Sequence, residues 1–120
     1  MYNILVVDDD KEIVESIEIY LKNEGFNIYK AYDGMQALDI LLENEIHLIL
    51  MDIMMPGMGG ETTLSKLKEK SNFNTPVIAL TADAVSGAKE KYISFGFTDY
   101  IAKPFSRDQI KSKLDKIFNK

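Results

Sequence analysis

The chain has 120 residues, of which 46% are apolar and 28% charged, with a formal net charge of −5. That is the length of one domain with one adequate core, and basic residues scattered as far as the last helix argue against the concentrated positive surface that nucleic acids require. No apolar run is long enough to cross a bilayer, no secretory signal is visible, and the lack of cysteine excludes disulfides and thiolate metal sites, leaving the cytoplasm as the default compartment.

Ile4-Leu5-Val6-Val7 is a continuous aliphatic run, the pattern of a strand buried on both faces. A helix is expected over Lys11 to Asn23, with Ile13, Ile17, Tyr20 and Leu21 on one face and Gly25 placed to stop it. Asn27 to Ala31 reads as a second, weaker strand. Asp33 and Gln36 form a cap for a helix whose apolar side is Ala37, Leu38, Leu41 and Leu42. Leu48-Ile49-Leu50-Met51 is the third strand. A turn-rich stretch from Pro56 to Gly60 leads into a helix from about Glu61 to Lys70. Val77 to Leu80 is the fourth strand, Ala84 to Phe95 the fourth helix, and Tyr100 to Ala102 a short fifth strand. Ser106 and Gln109 make a capping-box pattern for the last helix, whose core face is Ile110, Leu114, Ile117 and Phe118. Strict alternation with short connections implies a doubly wound α/β domain: a parallel sheet with helices on both faces, in the order 2-1-3-4-5.

Polar residues end these apolar runs. The first strand leads into Asp8-Asp9-Asp10, the third into Asp52, the fourth into Thr81 and the fifth into Lys103. In an open α/β sheet ligands bind beyond the carboxyl ends of the strands, where the strand order reverses. In this order the reversal lies between strands one and three, so Asp8, Asp9 and Asp52 should meet there with Thr81 and Lys103 alongside. Clustered carboxylates repel, and Mg²⁺ relieves that repulsion while leaving positions open for phosphate oxygens. A carboxylate beside such an ion can act as nucleophile toward a phosphoryl group, with Lys103 and the Thr81 hydroxyl offsetting charge on the transferring oxygens. Asp10 is better read as a helix N-terminal acid. His47, the only histidine, reads as a structural residue at a strand start, and Met54, Met55 and Met58 as loop and packing residues.

Four motifs carry a resemblance that covers the whole chain. They are Ile4 to Asp10, Leu50-Met51-Asp52-Ile53-Met54-Met55-Pro56, Ala79-Leu80-Thr81-Ala82 and Asp99-Tyr100-Ile101-Ala102-Lys103-Pro104-Phe105. With them the sequence resembles the receiver domains of two-component response regulators, of the flavodoxin-like (βα)5 fold, as one domain over residues 1–120. The resemblance implies that Asp52 is phosphorylated by the phosphohistidine of a sensor histidine kinase or histidine phosphotransfer protein. It implies Mg²⁺ bound by Asp9, Asp52 and the Met54 carbonyl, with Asp8 acting through water. It further implies a phosphoryl pocket at Ala82 and Pro104, a cis Lys103–Pro104 peptide, and a switch made of Thr81 and Tyr100. The signal would appear on the face of the fourth helix, fifth strand and fifth helix, for a downstream protein or a homodimer formed on phosphorylation.

One departure is visible, since Gly59 stands where the family usually has Asp before Gly60, which is expected to loosen that turn. Met54 and Asp83 occupy the variable positions flanking the site. The segment from Met1 to about Met55 resembles receivers of winged-helix regulators, and the part from Glu61 on those of hybrid histidine kinases. A stand-alone receiver, an excised domain and an engineered join of two receivers are all consistent with that. With no output domain in the chain, the expected role is a signalling module rather than an enzyme, with weak self-phosphorylation and dephosphorylation. A magnesium-dependent aspartyl phosphatase would want a second acid at position 54, where Met54 stands. A nucleotide-binding protein would want a Gly-rich loop where Asp8-Asp9-Asp10-Lys11 stands.

Overall fold

A computed structural model describes residues 1–70, 73–82 and 87–118. Along it run β1 (Asn3–Val7), α1 (Lys11–Asn23), β2 (Asn27–Ala31), α2 (Gly34–Glu43) and β3 (Leu48–Asp52), then α3 (Gly60–Lys68), β4 (Val77–Thr81), α4 (Ala88–Phe95), β5 (Asp99–Ala102) and α5 (Arg107–Phe118). The strands form one parallel sheet in the expected order β2-β1-β3-β4-β5.

Successive side chains along a strand point to opposite faces, and the aliphatic runs supply both. Ile4, Val6, Leu48, Leu50, Ile78, Leu80 and Ile101 pack with Val14, Ile17 and Leu21 of α1 and Ile110 and Leu114 of α5. Leu5, Val7, Ile49, Met51, Val77 and Ala79 pack on the other face with Ala37 of α2, Leu64 and Leu67 of α3, and Ala88 and Tyr92 of α4. Burying one such aliphatic side chain stabilises the fold by roughly 1.5–3 kcal/mol. The two layers carry the core.

Local signals set the helix ends. Asp10 caps α1, its Oδ1 accepting from the N–H groups of Glu12 and Ile13 at 3.0 and 3.4 Å. Gly25, at φ 90°, takes the left-handed turn that lets its own N–H reach Lys22 O and that of Phe26 reach Leu21 O, both at 3.1 Å. Asp33 Oδ1 accepts from the Gln36 N–H at 2.8 Å, and Gln36 Oε1 accepts in return from Tyr32. Ser106 and Gln109 complete a reciprocal capping box at α5.

Three expectations need correction. A fourth helix running unbroken over Ala84 to Phe95 does not form. Gly87 has a left-handed φ of 87° and caps α4, which begins at Ala88, while residues 84–86 lie outside the described residues. Leu42 is not on the apolar side of α2, being 69% exposed. Gly34, Ala37 and Leu41 follow one line along the helix, and Leu42 lies about 100° further round. On α1 the buried residues are Val14, Ile17 and Leu21, with Ile13 and Tyr20 only at the flanks.

Candidate functional site

The register brings the polar strand ends to one level. Val7 pairs with Met51, Asp52 with Leu80, and Thr81 with Ala102. Asp8 therefore emerges beside Asp52, and Lys103 beyond the end of β5. Asp8, Asp9 and Asp52 each present a carboxylate oxygen, and these three atoms lie within 4.8 Å of one another. Asp8 is wholly buried and Asp52 is 4% exposed, whereas Asp9 faces solvent.

Lys103 Nζ stands 2.9 Å from Asp8 Oδ2 and 3.2 Å from Asp52 Oδ1, bridging the two buried acids. Backbone groups complete the cradle. The Asp10 N–H donates to Asp8 Oδ1 at 3.0 Å, and the Met54 N–H donates to Asp52 Oδ1 at 3.3 Å. Burial, followed by the charge of Asp8, raises the Asp52 carboxyl from 3.8 to about 6, against the opposing pull of Lys103 and the Met54 N–H. Burial works to lower the Lys103 ammonium, but hydrogen bonds and charge from Asp8 and then Asp52 hold it above its ordinary value.

A stability consequence follows for the metal-free protein. Since Asp52 is raised on folding, its charged form is disfavoured in the native state, and stability falls as pH climbs from 3.8 through about 6. Asp52→Asn should be more stable than wild type above that range by about 1–2 kcal/mol, a figure reduced for solvent screening at the site mouth. The gain should vanish in more acidic buffer. Urea titrations in chelator at several pH values check this, and a pH-independent difference would contradict it.

The loop after Asp52 runs close to the site. A Cβ on Gly60 would collide with the Asp52 carbonyl oxygen and approach Ile53 Cα at 3.0 Å, so this position needs glycine. Gly59 has an ordinary extended backbone, φ −71° and ψ 173°. Having no side chain, it offers α3 no cap, and its carbonyl accepts from both the N–H and the Oγ1 of Thr63 at 2.9 Å. Met55 is buried, Met58 packs at Gly34, and Met54 is 79% exposed.

Thr81 is buried, and its Oγ1 lies 2.9 Å from the hydroxyl of Tyr92. Tyr100 is half-buried, its ring centroid 6.1 Å from that of Tyr92 and 5.9 Å from Lys113 Nζ. Tyr92 is thus in contact with both residues of the expected switch, a role that nothing in the residue pattern suggests. Its spacing from Ala88 marks only a core face. Ala82, Lys103, Pro104, Phe105 and Ile13 line a cavity of about 530 Å³ beside the site, and the Lys103–Pro104 peptide is cis. Asp83 lies outside the described residues. His47 sits at the opposite end of β3, where Nδ1 accepts from the Asn3 N–H at 2.9 Å, a structural tie far from the acids.

An acidic trio with a bridging lysine at the carboxyl ends of a 2-1-3-4-5 sheet places the chain among the open, doubly wound α/β proteins, whose ligands bind at this switch point. The chain matches the response regulator receiver domain over residues 4–115, and it belongs to that family. The regulatory protein VanR of Enterococcus faecium is 40% identical over 102 residues, 85% of this chain and 43% of that protein. The chain therefore spans less than half the length of this curated relative. The Francisella response regulator 1452 receiver domain superposes with a TM-score of 0.91 at 34% identity, covering 99% of this chain and 98% of the other. The receiver domain of sensor histidine kinase PA1611 from Pseudomonas aeruginosa, solved with magnesium in its active-site cleft, gives 0.87 at 31% identity, with 99% and 98% covered. Each similarity runs through both halves of the chain, and none supports a join of two receivers. Receiver domains are signalling modules that work with histidine kinases or phosphotransfer proteins and downstream targets.

Proposed function

We propose that the chain as a whole is one receiver unit and that Asp52 is its phosphoacceptor. The observation that carries this is the buried acidic pair Asp8 and Asp52, joined by Asp9 within 4.8 Å and bridged by Lys103. A carboxylate oxygen of Asp52 attacks the phosphorus of a phosphohistidine on the partner. The P–N bond breaks as the O–P bond forms and the bonding pair stays with the imidazole nitrogen; the donor ring enters protonated on its other nitrogen, keeps that proton and ends as neutral imidazole. Lys103 moves from its two carboxylates onto a phosphoryl oxygen, and the Thr81 hydroxyl donates to another. Ala82 leaves room for the group, and Pro104 closes the wall of the adjoining cavity.

The donor set of clustered, partly desolvated carboxylate oxygens fits a hard divalent ion. Asp9, Asp52 and the Met54 carbonyl would hold Mg²⁺, with Asp8 reaching it through water. When bound, Mg²⁺ supplies positive charge for the transferring oxygens. The response passes from Thr81 to Tyr100 and the face of α4, β5 and α5, for a downstream protein or a second phosphorylated copy. Its compartment is the cytoplasm, the acidic chain binds no nucleic acid itself, and its chemistry is limited to taking on and losing the phosphoryl group.

Intact-protein mass after incubation with acetyl phosphate tests this reading. A gain of one phosphoryl group that requires Mg²⁺ is expected. No gain from either acetyl phosphate or a phosphohistidine donor, in protein shown to bind Mg²⁺, would leave the receiver fold without receiver chemistry.

A further inference from the structure

Tyr92 is buried to 1% exposure in the middle of α4, and its hydroxyl needs a polar partner there. It finds Thr81 Oγ1 at 2.9 Å. Strand alternation shows why this contact matters. Asp8, Asp52 and Lys103 are in phase with Val6, Leu50 and Ile101, which face α1 and α5. Thr81 is in phase with Val77 and Ala79, which face α2, α3 and α4. The Thr81 hydroxyl therefore starts in the α4 layer, on the other side of the sheet from the acids. To donate to a phosphoryl group on Asp52 it must swing toward the strand end, and Tyr92 holds it back whichever of the two oxygens is the donor.

Resting on the reading of Asp52 as phosphoacceptor, we propose that Tyr92 is a positioning residue that holds Thr81 in the unphosphorylated arrangement. Engagement of Thr81 then breaks the contact with Tyr92 and releases α4 from β4. The same ring lies 6.1 Å from Tyr100 and 6.0 Å from Phe97, so a shift of Tyr92 reaches the β5 side of the output face directly. Tyr92 joins Thr81 and Tyr100 as the third member of the switch.

A double-mutant cycle tests this with beryllofluoride, a phosphoryl mimic, titrated at fixed Mg²⁺ into wild type, Tyr92→Phe, Thr81→Val and the double variant. Amide shifts provide the readout. Phenylalanine keeps the ring and removes only the hydroxyl, and thermal unfolding confirms that each variant is folded. Losing one neutral hydrogen bond from the resting state should lower the half-saturating concentration about two- to tenfold when Thr81 is present. In the Thr81→Val background the same substitution should have no effect. An equal shift in both backgrounds would make Tyr92 merely structural, and an unchanged or weakened response with Thr81 present would remove the holding role. Should wild type take up neither beryllofluoride nor a phosphoryl group, the reading of Asp52 falls and this proposal with it. A responsive wild type with a flat cycle overturns the proposal alone.

Discussion

An Asp52→Asn variant incubated with acetyl phosphate and Mg²⁺ should keep its unmodified mass while wild type gains one phosphoryl group. The amide occupies the same space as the carboxylate and retains an oxygen to accept the Met54 N–H, which lies 3.3 Å from Asp52 Oδ1. Lys103 keeps its 2.9 Å ion pair with Asp8, so the site stays assembled. What disappears is the negative oxygen that attacks phosphorus. Removing a nucleophile outright lowers the rate by at least about 10³-fold. Stoichiometric phosphorylation of the variant would place the acceptor elsewhere, and peptide mapping would then locate it.

Replacing Lys103 has the second largest expected effect, and it divides into two parts. Lys103 is the cation that bridges Asp8 and Asp52, the latter only 4% exposed. Lys103→Ala leaves that pair uncompensated, with an expected loss on the order of 3 kcal/mol in metal-free protein. Mg²⁺ should restore much of it, because a ligand that binds only the native state stabilises it. The functional part is distinct. Phosphorylation should continue at a reduced rate, since Asp52 and the metal ligands remain. The amide-shift response of β4, α4 and β5 should be largely lost, because Lys103 no longer binds a phosphoryl oxygen. An unchanged response in phosphorylated Lys103→Ala would remove Lys103 from signalling.

The three central strands are legible in the sequence because each is a short aliphatic run that feeds both core layers, as Leu48 to Met51 does, whereas the edge strands β2 and β5 carry a weaker signal. The site is legible because a polar residue ends or follows four of the five strands at the sheet's carboxyl edge, and parallel register then brings those residues together. The Lys103 bridge needs coordinates, since no sequence rule says which of three nearby acids a flexible ammonium selects. Tyr92 stays hidden for another reason: its ring fits an amphipathic helix like any core aromatic, and only tertiary packing reveals that its hydroxyl ends at Thr81. Leu42 misleads because helical spacing tolerates a broad apolar stripe, while the contact with β1 and β2 is narrower. The start of α4 escapes detection because Gly87 interrupts an otherwise helix-compatible run, and a glycine's left-handed φ is invisible in composition.

The ion pair between Lys103 and Asp8 joins positions 95 residues apart. Local structure cannot form such a contact, because β1, β3, β4 and β5 must all be in register before the ammonium and the carboxylates meet. The acidic trio needs only β1 and β3 side by side, but its bridging cation is absent from every partially assembled form that lacks β5, so the charge network is completed only when the sheet closes. A response that runs through Lys103 is thus open only to a chain whose sheet has closed as far as β5.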